Sequence, residues 1–352
     1  MILNRYNKTP ERPRVIICGT GQYGGLVAGA LEDVGYQIVG AYNRAGARIG
    51  QDLGDASGFG RKFGVIVEDI EKADLRKTGA DVAIVCQGNA LRADIPTYKK
   101  VMEAGINVIS LAMEAYYPWG SDPEAAEEID AFARKHRVTF TGSGIHDMTR
   151  IWSGILACGQ CSKITSVYHE SLTDAAGQTK VLEQMPRDYA VGATVEDYWT
   201  RGFDKHRLWP VYTATLEHIL TVLGYTVTEK GTKIEPVVWE EDLDSKMLNK
   251  VIPAGRVLGT RTIGYVKTKE GVVANVRTEG RICKEGEFDY TLWKVEGKPR
   301  SEMLIKRLDG DYTNAICLVG RVKDVIGAPP GIVLVSAYGP LQGPELVQRS
   351  RS

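Results

Sequence analysis

An apolar run that ends in a glycine-rich turn constrains the fold of this chain more than any other feature. The stretch VIICGTGQYGGLVAGAL, residues 15–31, passes from strand-like residues into a helix-like pattern. In a dinucleotide-binding fold, the first glycine makes the tight turn, the second admits the pyrophosphate, and the third lets the helix lie close to the sheet. The order strand, glycine turn, helix therefore predicts a dinucleotide site, with a purely structural turn as the alternative. The predicted contacts are Gly19, Thr20, Gly21, Gln22, Tyr23 and Gly24.

The first 150 residues alternate short β-type runs with longer amphipathic stretches. Such a rhythm is typical of a parallel sheet with crossover helices. We predict an α/β class with an N-terminal Rossmann doubly wound parallel sheet over residues 1–150. The predicted strands are Arg14–Cys18, Gln37–Tyr42, Val82–Cys86, Asn107–Ser110 and Val138–Thr141.

The rhythm changes after residue 150. Strand-like runs at 163–170, 225–240, 257–266, 272–282 and 287–295, joined in part by short turns, predict a second α+β domain on a mainly antiparallel sheet over 151–324. The run YTNAICLVGRVKDVIG near the end predicts one helix. We expect the segment 325–352 to pack back on the first domain.

The charge balance narrows the class of partner. Lys plus Arg equals Asp plus Glu, at 44 each, so neither a nucleic-acid groove nor a polybasic membrane patch is indicated. The N-terminus lacks the apolar core of a signal peptide, which favours a cytoplasmic protein with a small-molecule partner. We expect reduced cysteines and no metal, because Cys158-Gly-Gln-Cys161 has no second ligand pair at zinc-like spacing.

The end of the second predicted strand bears on the choice of coenzyme. NAD-binding chains usually place an acid there for the ribose hydroxyls, whereas this chain has Asn43 and Arg44. Arg44 could pair with the 2′-phosphate of NADP, so we predict NADP, with NAD possible and a solvated loop cation as the alternative. Gln87, Gly88 and Asn89 follow another strand at the same edge and are predicted nucleotide contacts, or an ordinary turn.

Two segments carry candidate chemistry. Glu114 lies four residues beyond a strand end among aromatic residues, where a nicotinamide ring is expected, and a carboxylate there suits proton transfer. His146 follows two glycines at a strand end and could bind substrate or move a proton. The alternatives are a surface glutamate paired with a lysine and a packed histidine.

The chain resembles the dihydrodipicolinate-reductase-like family that contains the 2,4-diaminopentanoate dehydrogenases and the native amine dehydrogenases. The segments that carry this resemblance are GTGQYG, GARIGQDLG, EAGINVIS followed by MEAYYPW, TGSGI and DVIGAPPGIV. In that family a glutamate in the segment ending Tyr-Pro handles the ammonia or the substrate amine, and here it matches Glu114. Many relatives have Asn-Pro where this chain has His146 and Asp147, which points to an altered pocket.

The resemblance implies an NAD(P)-dependent oxidoreductase acting on CH–NH₂ groups. It would reductively aminate a small ketone or aldehyde with ammonia, or oxidise an amine or diamino acid in reverse, with Glu114 as the acid–base residue. The other predicted substrate contacts are Ser143, His146, Tyr168 and Tyr312. An NADP-dependent ketone or alcohol oxidoreductase and a non-catalytic NADP sensor are the alternatives. The resemblance also implies a homodimer.

Overall fold

A computed structural model describes residues 9–178, 190–205, 210–245 and 249–341. It divides the chain into two compact units, residues 1–148 with 309–352 and residues 149–308. The sequence between about 179 and 223 is expected to be helical and irregular, and residues 179–189 and 206–209 of it lie outside the described residues. Residues 309–324, which the sequence analysis assigned to the second domain, cluster with the first unit.

The first unit is built on a parallel sheet that has seven strands within the described residues, in the order β15-β6-β5-β4-β1-β2-β3. This confirms the predicted Rossmann-type fold, and all five predicted strands have bounds within one residue of the observed ones at each end. The short strands β3 and β15 were not predicted. The strands are β1 Arg14–Cys18, β2 Gln37–Asn43, β3 Val67–Asp69, β4 Val82–Val85, β5 Asn107–Ser110, β6 Thr139–Gly142 and β15 Gly331–Ile332.

Helices cover the sheet of this unit and close two apolar cores. One core gathers residues such as Ile17, Leu31 and Leu318, and the other residues such as Ile16, Tyr98 and Phe140. The helices are α1 Gln22–Asp33, α2 Leu53–Ser57, α3 Leu91–Glu103, α4 Pro118–Ser121 and α5 Pro123–His136, with 3₁₀ turns at Leu75–Thr78 and Met113–Tyr116.

The helix α5 shows how local sequence sets an element's start. Asp122 caps it by accepting a hydrogen bond from the N–H of Ala125 at 3.2 Å, and Pro123 occupies its first position. Arg134 and Lys135 lie in its last turn, where the helix dipole favours cations.

The second unit is built on a mixed sheet that is mainly antiparallel, as predicted. Its strand order is β14-β13-β7-β12-β11-β8 in the described part of the chain, and only β12 and β7 run parallel there. The strands of this six-stranded sheet are β7 Lys163–Asp174, β8 Val227–Val238, β11 Val257–Thr268, β12 Val273–Arg281, β13 Tyr290–Lys298 and β14 Ser301–Lys306. Two short strands, β9 Leu243–Ser245 and β10 Lys250–Ile252, pair with each other in a separate antiparallel sheet. Three strands of this unit, β9, β10 and β14, were not predicted.

The remaining helices complete both units. The second unit has α6 Ser153–Gly159, α7 Ala175–Gln178, α8 Val195–Thr200, α9 Val211–Val222 and a 3₁₀ turn at Phe203–Lys205, while a π-helical segment spans Asp147–Trp152. The first unit gains α10 Gly310–Gly320, α11 Val322–Ile326 and α12 Val335–Tyr338. The predicted single helix near the C-terminus is therefore two helices, and the prediction of one helix was wrong because the chain turns at Arg321, whose buried side chain is held by carboxylates.

Candidate functional site

The turn after β1 has the geometry that a pyrophosphate-binding loop needs. Gly19 adopts φ +99°, and a Cβ there would lie 2.5 Å from the carbonyl oxygen of Cys86, so glycine is required. A Cβ at Gly24 would overlap the carbonyl of Gly19, whereas a Cβ at Gly21 would meet nothing nearer than Nη1 of Arg48 at 3.9 Å. Because Gly21 caps α1 without a side-chain hydrogen bond, the first N–H groups of the helix suit an anionic ligand.

Side chains around this turn brace it from within the protein. The N–H of Thr20 donates to Asn43 Oδ1 at 3.1 Å, and Asn43 Nδ2 donates back to Thr20 Oγ1 at 2.7 Å. Gln22 and Tyr23 both donate to the carboxylate of Asp311, at 3.2 and 3.0 Å. Burial and the neighbouring Asp311 raise the pKa of Tyr23 above its usual value. The side chains of these four predicted contacts therefore hold the loop in shape. The backbone of the loop is left available to contact a dinucleotide.

Arg44 lies directly after β2, where the sequence analysis placed it. Its Nη1 donates to the carbonyl of Ala93 at 2.7 Å, and its Nη2 lies 3.4 Å from Asp94 Oδ1, in the first turn of α3. The side chain of Arg44 is 42% exposed while that of Asp94 is 1% exposed. Burial raises the pKa of Asp94 to about 6, and the nearby Arg44 opposes that rise. Ala93 and Asp94 thus hold the two terminal nitrogens of the Arg44 guanidinium, while the side chain as a whole stays partly exposed.

The sequence analysis did not single out Asp94. The available signal was an acid in the first turn of a helix that follows a predicted nucleotide-binding turn. Its pairing with Arg44 joins residues 50 apart, and it is visible only in the folded chain.

Glu114 lies in the 3₁₀ turn after β5 and is 2% exposed. Its Oε2 accepts a hydrogen bond from the N–H of Leu91 at 2.8 Å, so the carboxylate lies at the N-terminus of α3. The N–H of Glu114 donates to the carbonyl of Asn89 at 3.3 Å. Gln87 accepts a hydrogen bond from Thr97 at 2.7 Å. The structure therefore brings Glu114 next to the predicted nucleotide contacts Gln87, Gly88 and Asn89.

The end of β6 packs directly on the turn that carries Glu114. A Cβ at Gly142 would overlap the carbonyl of Ala115, and a Cβ at Gly144, which has φ +138°, would overlap Tyr116 and Asn314. The N–H of Ile145 donates to Asn314 Oδ1 at 2.7 Å. The two glycines thus permit the close approach that fixes the position of this turn.

His146 is 4% exposed and stacks on Tyr116, with ring centroids 4.6 Å apart and an angle of 11° between the planes. Tyr116 is two residues from Glu114, so this part of the structure brings the predicted catalytic and histidine residues together. Asn314, which anchors the His146 loop from α10, was missed because it is 168 residues away in sequence and has no local signal.

Ser143 is fully buried, and its surroundings differ from those expected of a substrate contact. Its hydroxyl lies 2.9 Å from Asp147 Oδ2 and 3.2 Å from the carbonyl of Cys317. Arg321 donates two hydrogen bonds of 2.7 Å to Asp147 and one of 2.8 Å to Asp324. The hydroxyl of Ser143 is thus part of a buried ionic network.

The two tyrosines predicted as substrate contacts lie in different units. Tyr312, 38% exposed, donates to Asp33 at 2.8 Å on the surface of the first unit. Tyr168 in the second unit donates to Glu170 at 2.6 Å, and Tyr290 donates to the other oxygen of Glu170. Burial and Glu170 raise the pKa of Tyr168 to about 12.

Tyr168 and Tyr290 both hydrogen-bond to Glu170, and Glu170 and Tyr290 line a cavity of about 300 Å³ in the second unit. Charged residues of β12 also line this cavity.

All six cysteines lie in the described ranges and are free. Burial raises the pKa of Cys158 to about 12, and Cys161 Sγ contacts the carbonyl of Pro299 at 3.0 Å, as expected for a packed helix end. Over the described residues, no cluster of three His, Cys, Asp or Glu side chains could hold a metal, and none of the helices there is long and apolar enough to cross a membrane.

The parallel sheet, the glycine loop and the second mixed-sheet unit define a class, the two-domain NAD(P)-dependent oxidoreductases. The amine dehydrogenase from Mycobacterium smegmatis is 30% identical, with a TM-score of 0.83, covering 97% of this chain and 99% of that one. The 2,4-diaminopentanoate dehydrogenase of Acetoanaerobium sticklandii is 28% identical over 92% of each chain. The chain belongs to the family of these amine dehydrogenases, which confirms the resemblance.

More distant structures share the fold alone. Biliverdin reductase from Synechocystis, solved with biliverdin and NADP⁺, is 14% identical with a TM-score of 0.55 and covers 92% of this chain and 94% of that one. No protein-family model matches the chain.

Proposed function

We propose that this enzyme reductively aminates a small ketone or aldehyde with ammonia, using NADPH in preference to NADH, and runs the reverse deamination of the amine. The observation that carries the proposal is the buried carboxylate of Glu114 at the N-terminus of α3, beside the turn at 87–89. The likeness to two amine dehydrogenases over nearly the whole chain supports it.

The residues of the first unit fit a nicotinamide dinucleotide. The glycine loop leaves space at Gly21 for a pyrophosphate, and the uncapped start of α1 offers N–H donors to it. Arg48, whose Nη1 lies near Gly21, would add positive charge at that point. Arg44, anchored on Asp94, would meet a 2′-phosphate, which is the basis for preferring NADP. When bound, the coenzyme supplies or accepts a hydride.

Glu114 has two tasks in this proposal. Its carboxylate first takes a proton from ammonium, and the ammonia released adds to the carbonyl carbon of the substrate. The protonated Glu114 then returns that proton to the hydroxyl group, which leaves as water while an iminium ion forms. The restored carboxylate stabilises the positive iminium carbon until hydride arrives. The sum is ketone, ammonium and hydride converted to amine and water.

The hydrogen bond from Leu91 holds the Glu114 carboxylate in one place for these transfers. Burial excludes water from the same point, which favours nitrogen addition over loss of the imine to hydrolysis. His146 is placed by its stack on Tyr116 to contact the substrate on the side of β6. Tyr168 remains a proposed contact from the second unit, and Tyr312 a peripheral one.

The proposal is tested by following NADPH oxidation with a panel of small ketones, with and without ammonium. Amine formation that requires ammonium supports it. Oxidation that proceeds equally without ammonium supports a ketone reductase instead, and no oxidation with any ketone supports a nucleotide-binding sensor.

The same assay on Glu114→Gln tests the assignment of this residue. We expect kcat to fall by about a hundredfold or more, because an essential proton-transfer group is lost. Glu103→Gln, an exposed glutamate at the end of α3, is the matched control and should retain wild-type kcat. A Glu114→Gln enzyme within a few fold of wild type would remove Glu114 from the chemistry.

The coenzyme preference is tested by Arg44→Ala. We expect KM for NADPH to rise about tenfold or more while KM for NADH changes little, since only NADPH carries the 2′-phosphate that Arg44 would meet. Equal effects on both coenzymes would refute the phosphate contact.

We also propose a cytoplasmic homodimer. The six free cysteines support a reducing compartment. The outer face of the six-stranded sheet supports self-association, because it exposes apolar side chains such as Ile263 and Leu304 among paired charges. Size-exclusion chromatography with light scattering would measure the mass in solution.

A further inference from the structure

Two buried carboxylates lie at the starts of neighbouring helices of the first unit, and they are paired very differently. Asp122, which caps α5, accepts hydrogen bonds of 2.8 Å from both Nε and Nη2 of Arg92 and one of 3.2 Å from the N–H of Ala125. Asp94, in the first turn of α3 and 1% exposed, contacts Arg44 through Oδ1 at 3.4 Å. That distance is long for a charged hydrogen bond. The charge of Asp94 is therefore poorly balanced.

The second oxygen of Asp94 faces the predicted nucleotide turn. Oδ2 makes no hydrogen bond of ordinary geometry among the described residues, and a Cβ at Gly88 would lie 3.2 Å from it. Burial raises the pKa of Asp94 to about 6, and Arg44 and then the N–H of Gly88 oppose that rise. Asp94 thus lies directly behind two groups that the proposed function assigns to the coenzyme, namely Arg44 and the turn at 87–89.

The titratable groups that surround Asp94 come from three further elements and from its own helix. Arg44 follows β2, Cys18 ends β1, Cys86 follows β4, and Tyr98 lies one turn further along α3. Burial, with the charge of Asp94 adding to it, raises the pKa of Cys18 to about 12 and also raises the pKa values of Cys86 and Tyr98. These three groups are therefore neutral at pH 7, and the positive charge that faces Asp94 is that of Arg44.

A 2′-phosphate bound to Arg44 would bring a second anion to the same guanidinium. Phosphate monoesters lose their second proton near pH 6, so this group carries almost two negative charges at pH 7.5. A like charge nearby favours the protonated form of a buried carboxyl group. Arg44 does not need the charge of Asp94 to keep its place, because its Nη1 also donates to the carbonyl of Ala93 at 2.7 Å.

We propose that Asp94 determines how strongly this enzyme prefers NADP over NAD, because its carboxylate takes up a proton from solvent when the 2′-phosphate binds to Arg44. NAD has no phosphate at this position and leaves Asp94 ionised. Since binding of NADP consumes a proton, the preference for NADP weakens as the pH rises above that of the free carboxyl group. The inference rests on the proposed contact between Arg44 and the phosphate.

Calorimetry on the wild-type protein measures this proton directly. NADP⁺ is titrated into the protein at pH 7.5 in Tris and in HEPES, whose enthalpies of ionisation differ, and the difference in heat gives the number of protons taken up. We expect about half a proton or more per NADP⁺ bound and almost none per NAD⁺. No uptake with NADP⁺, or equal uptake with the two coenzymes, overturns the inference.

The pH dependence of affinity gives a second measurement. Between pH 6.5 and 8, the dissociation constant of NADP⁺ divided by that of NAD⁺ should rise about tenfold in the wild type. The phosphate's own titration would shift this ratio slightly in the opposite direction. In Asp94→Asn the ratio should change by less than about twofold, because an amide does not titrate. A ratio that stays flat in the wild type overturns the inference.

Asp94→Asn also tests the direction of the effect, since it keeps the shape of the side chain and an oxygen for Arg44. At pH 8 we expect NADP⁺ to bind about tenfold more tightly to this variant than to the wild type, because the competing anion is gone. Asp55→Asn, an exposed acid of α2 near Lys62, is the matched control and should leave both dissociation constants unchanged. Unchanged or weaker binding to Asp94→Asn overturns the inference. If that variant does not fold, the wild-type calorimetry decides.

Arg44→Ala separates failure of the inference from failure of the proposed function. The binding measurements need no substrate, so they remain decisive even if no ketone is aminated. If Arg44→Ala weakens NADP⁺ binding selectively while the wild type takes up no proton, only the inference fails. If it weakens both coenzymes equally, the phosphate contact fails and the inference fails with it. Selective weakening together with proton uptake in the wild type supports both.

Discussion

Two arginines buried in different parts of the molecule have opposite surroundings. In the first unit, Nε and both Nη groups of Arg321 donate to acceptors, among them the two carboxylates Asp147 and Asp324. In the second unit, Arg307 donates only through Nη2 in the described contacts, and its Nε has no partner. Both side chains are almost wholly withdrawn from water.

The difference separates a completed ionic network from an incomplete one. A buried charge persists only if it is paired and hydrogen-bonded, and Arg321 meets that condition within its own unit. The pairs with Asp147 and Asp324 outweigh burial and raise the pKa of Arg321 further. Arg307 is held mainly by neutral oxygens, and its Nε has no acceptor among the described residues. Completed and incomplete networks of this kind can therefore be distinguished by counting unpaired donors.

The largest effect is expected from breaking the completed network. Asp147→Ala removes both 2.7 Å hydrogen bonds to Arg321 and leaves that charge underpaired in the interior. We expect a loss of about 3–5 kcal/mol in the free energy of unfolding, measured by urea denaturation. Glu128→Gln breaks an exposed pair with Lys99 and should cost about 1 kcal/mol or less. Similar losses in the two variants would contradict the comparison.

A smaller effect is expected from the incomplete network when the pH falls. The pKa of His169 is about 3 in the folded protein and about 6.5 when exposed, so between these values the unfolded chain binds the extra proton. Stability that is present above pH 6.5 is therefore lost as the pH falls toward 3. One such histidine removes about 2 kcal/mol between pH 6.5 and 5.

His169→Asn tests this dependence, because an amide can still donate to the carbonyl of Leu292 but does not titrate. The difference in unfolding free energy between pH 7 and pH 5 should shrink by about 2 kcal/mol in the variant. His136→Gln, at the end of α5, serves as the control. An unaltered pH dependence in His169→Asn would show that burial, together with Arg150 and Arg307, does not lower the pKa of this ring.

The smallest effect sharpens the role of Ser143. Ser143→Ala removes one neutral hydroxyl from the Asp147 network and should cost about 1 kcal/mol of stability. We expect kcat/KM for the preferred substrate to stay within about twofold, because the hydroxyl is directed into the network. A tenfold loss of kcat/KM with unchanged stability would restore Ser143 as a substrate contact.

Features set by neighbouring residues were predictable from the sequence. The glycine loop, the start of α5 and most strands of the first unit follow from local pattern, and Glu114 was found because it follows a strand at the edge where ligands bind. The very short strand β3 has too few residues to give a periodic signal.

Features set by strand register were not predictable. Four buried hydroxyl side chains, those of Ser171, Thr262, Thr278 and Thr291, lie opposite one another on adjacent strands of the second unit, and no single segment contains more than one of them. The pairing of Asp147 with Arg321 spans 174 residues, and that of Arg44 with Asp94 spans 50. Such contacts form only when the backbone folds. The sequence could therefore indicate that a strand of the second unit carries polar residues, but not which residues of other strands they meet.

The last described strand has a practical consequence for anyone modifying this enzyme. β15 extends the parallel sheet beside β6, and Thr141 of β6 hydrogen-bonds to the carbonyl of Val333 and to Tyr338. The next residue, Gly142, packs closely against the backbone of Ala115, which is the neighbour of Glu114 in sequence. A deletion that removes residues from 331 onward would loosen the support behind the acid–base residue, so lost turnover could follow from trimming far from any substrate.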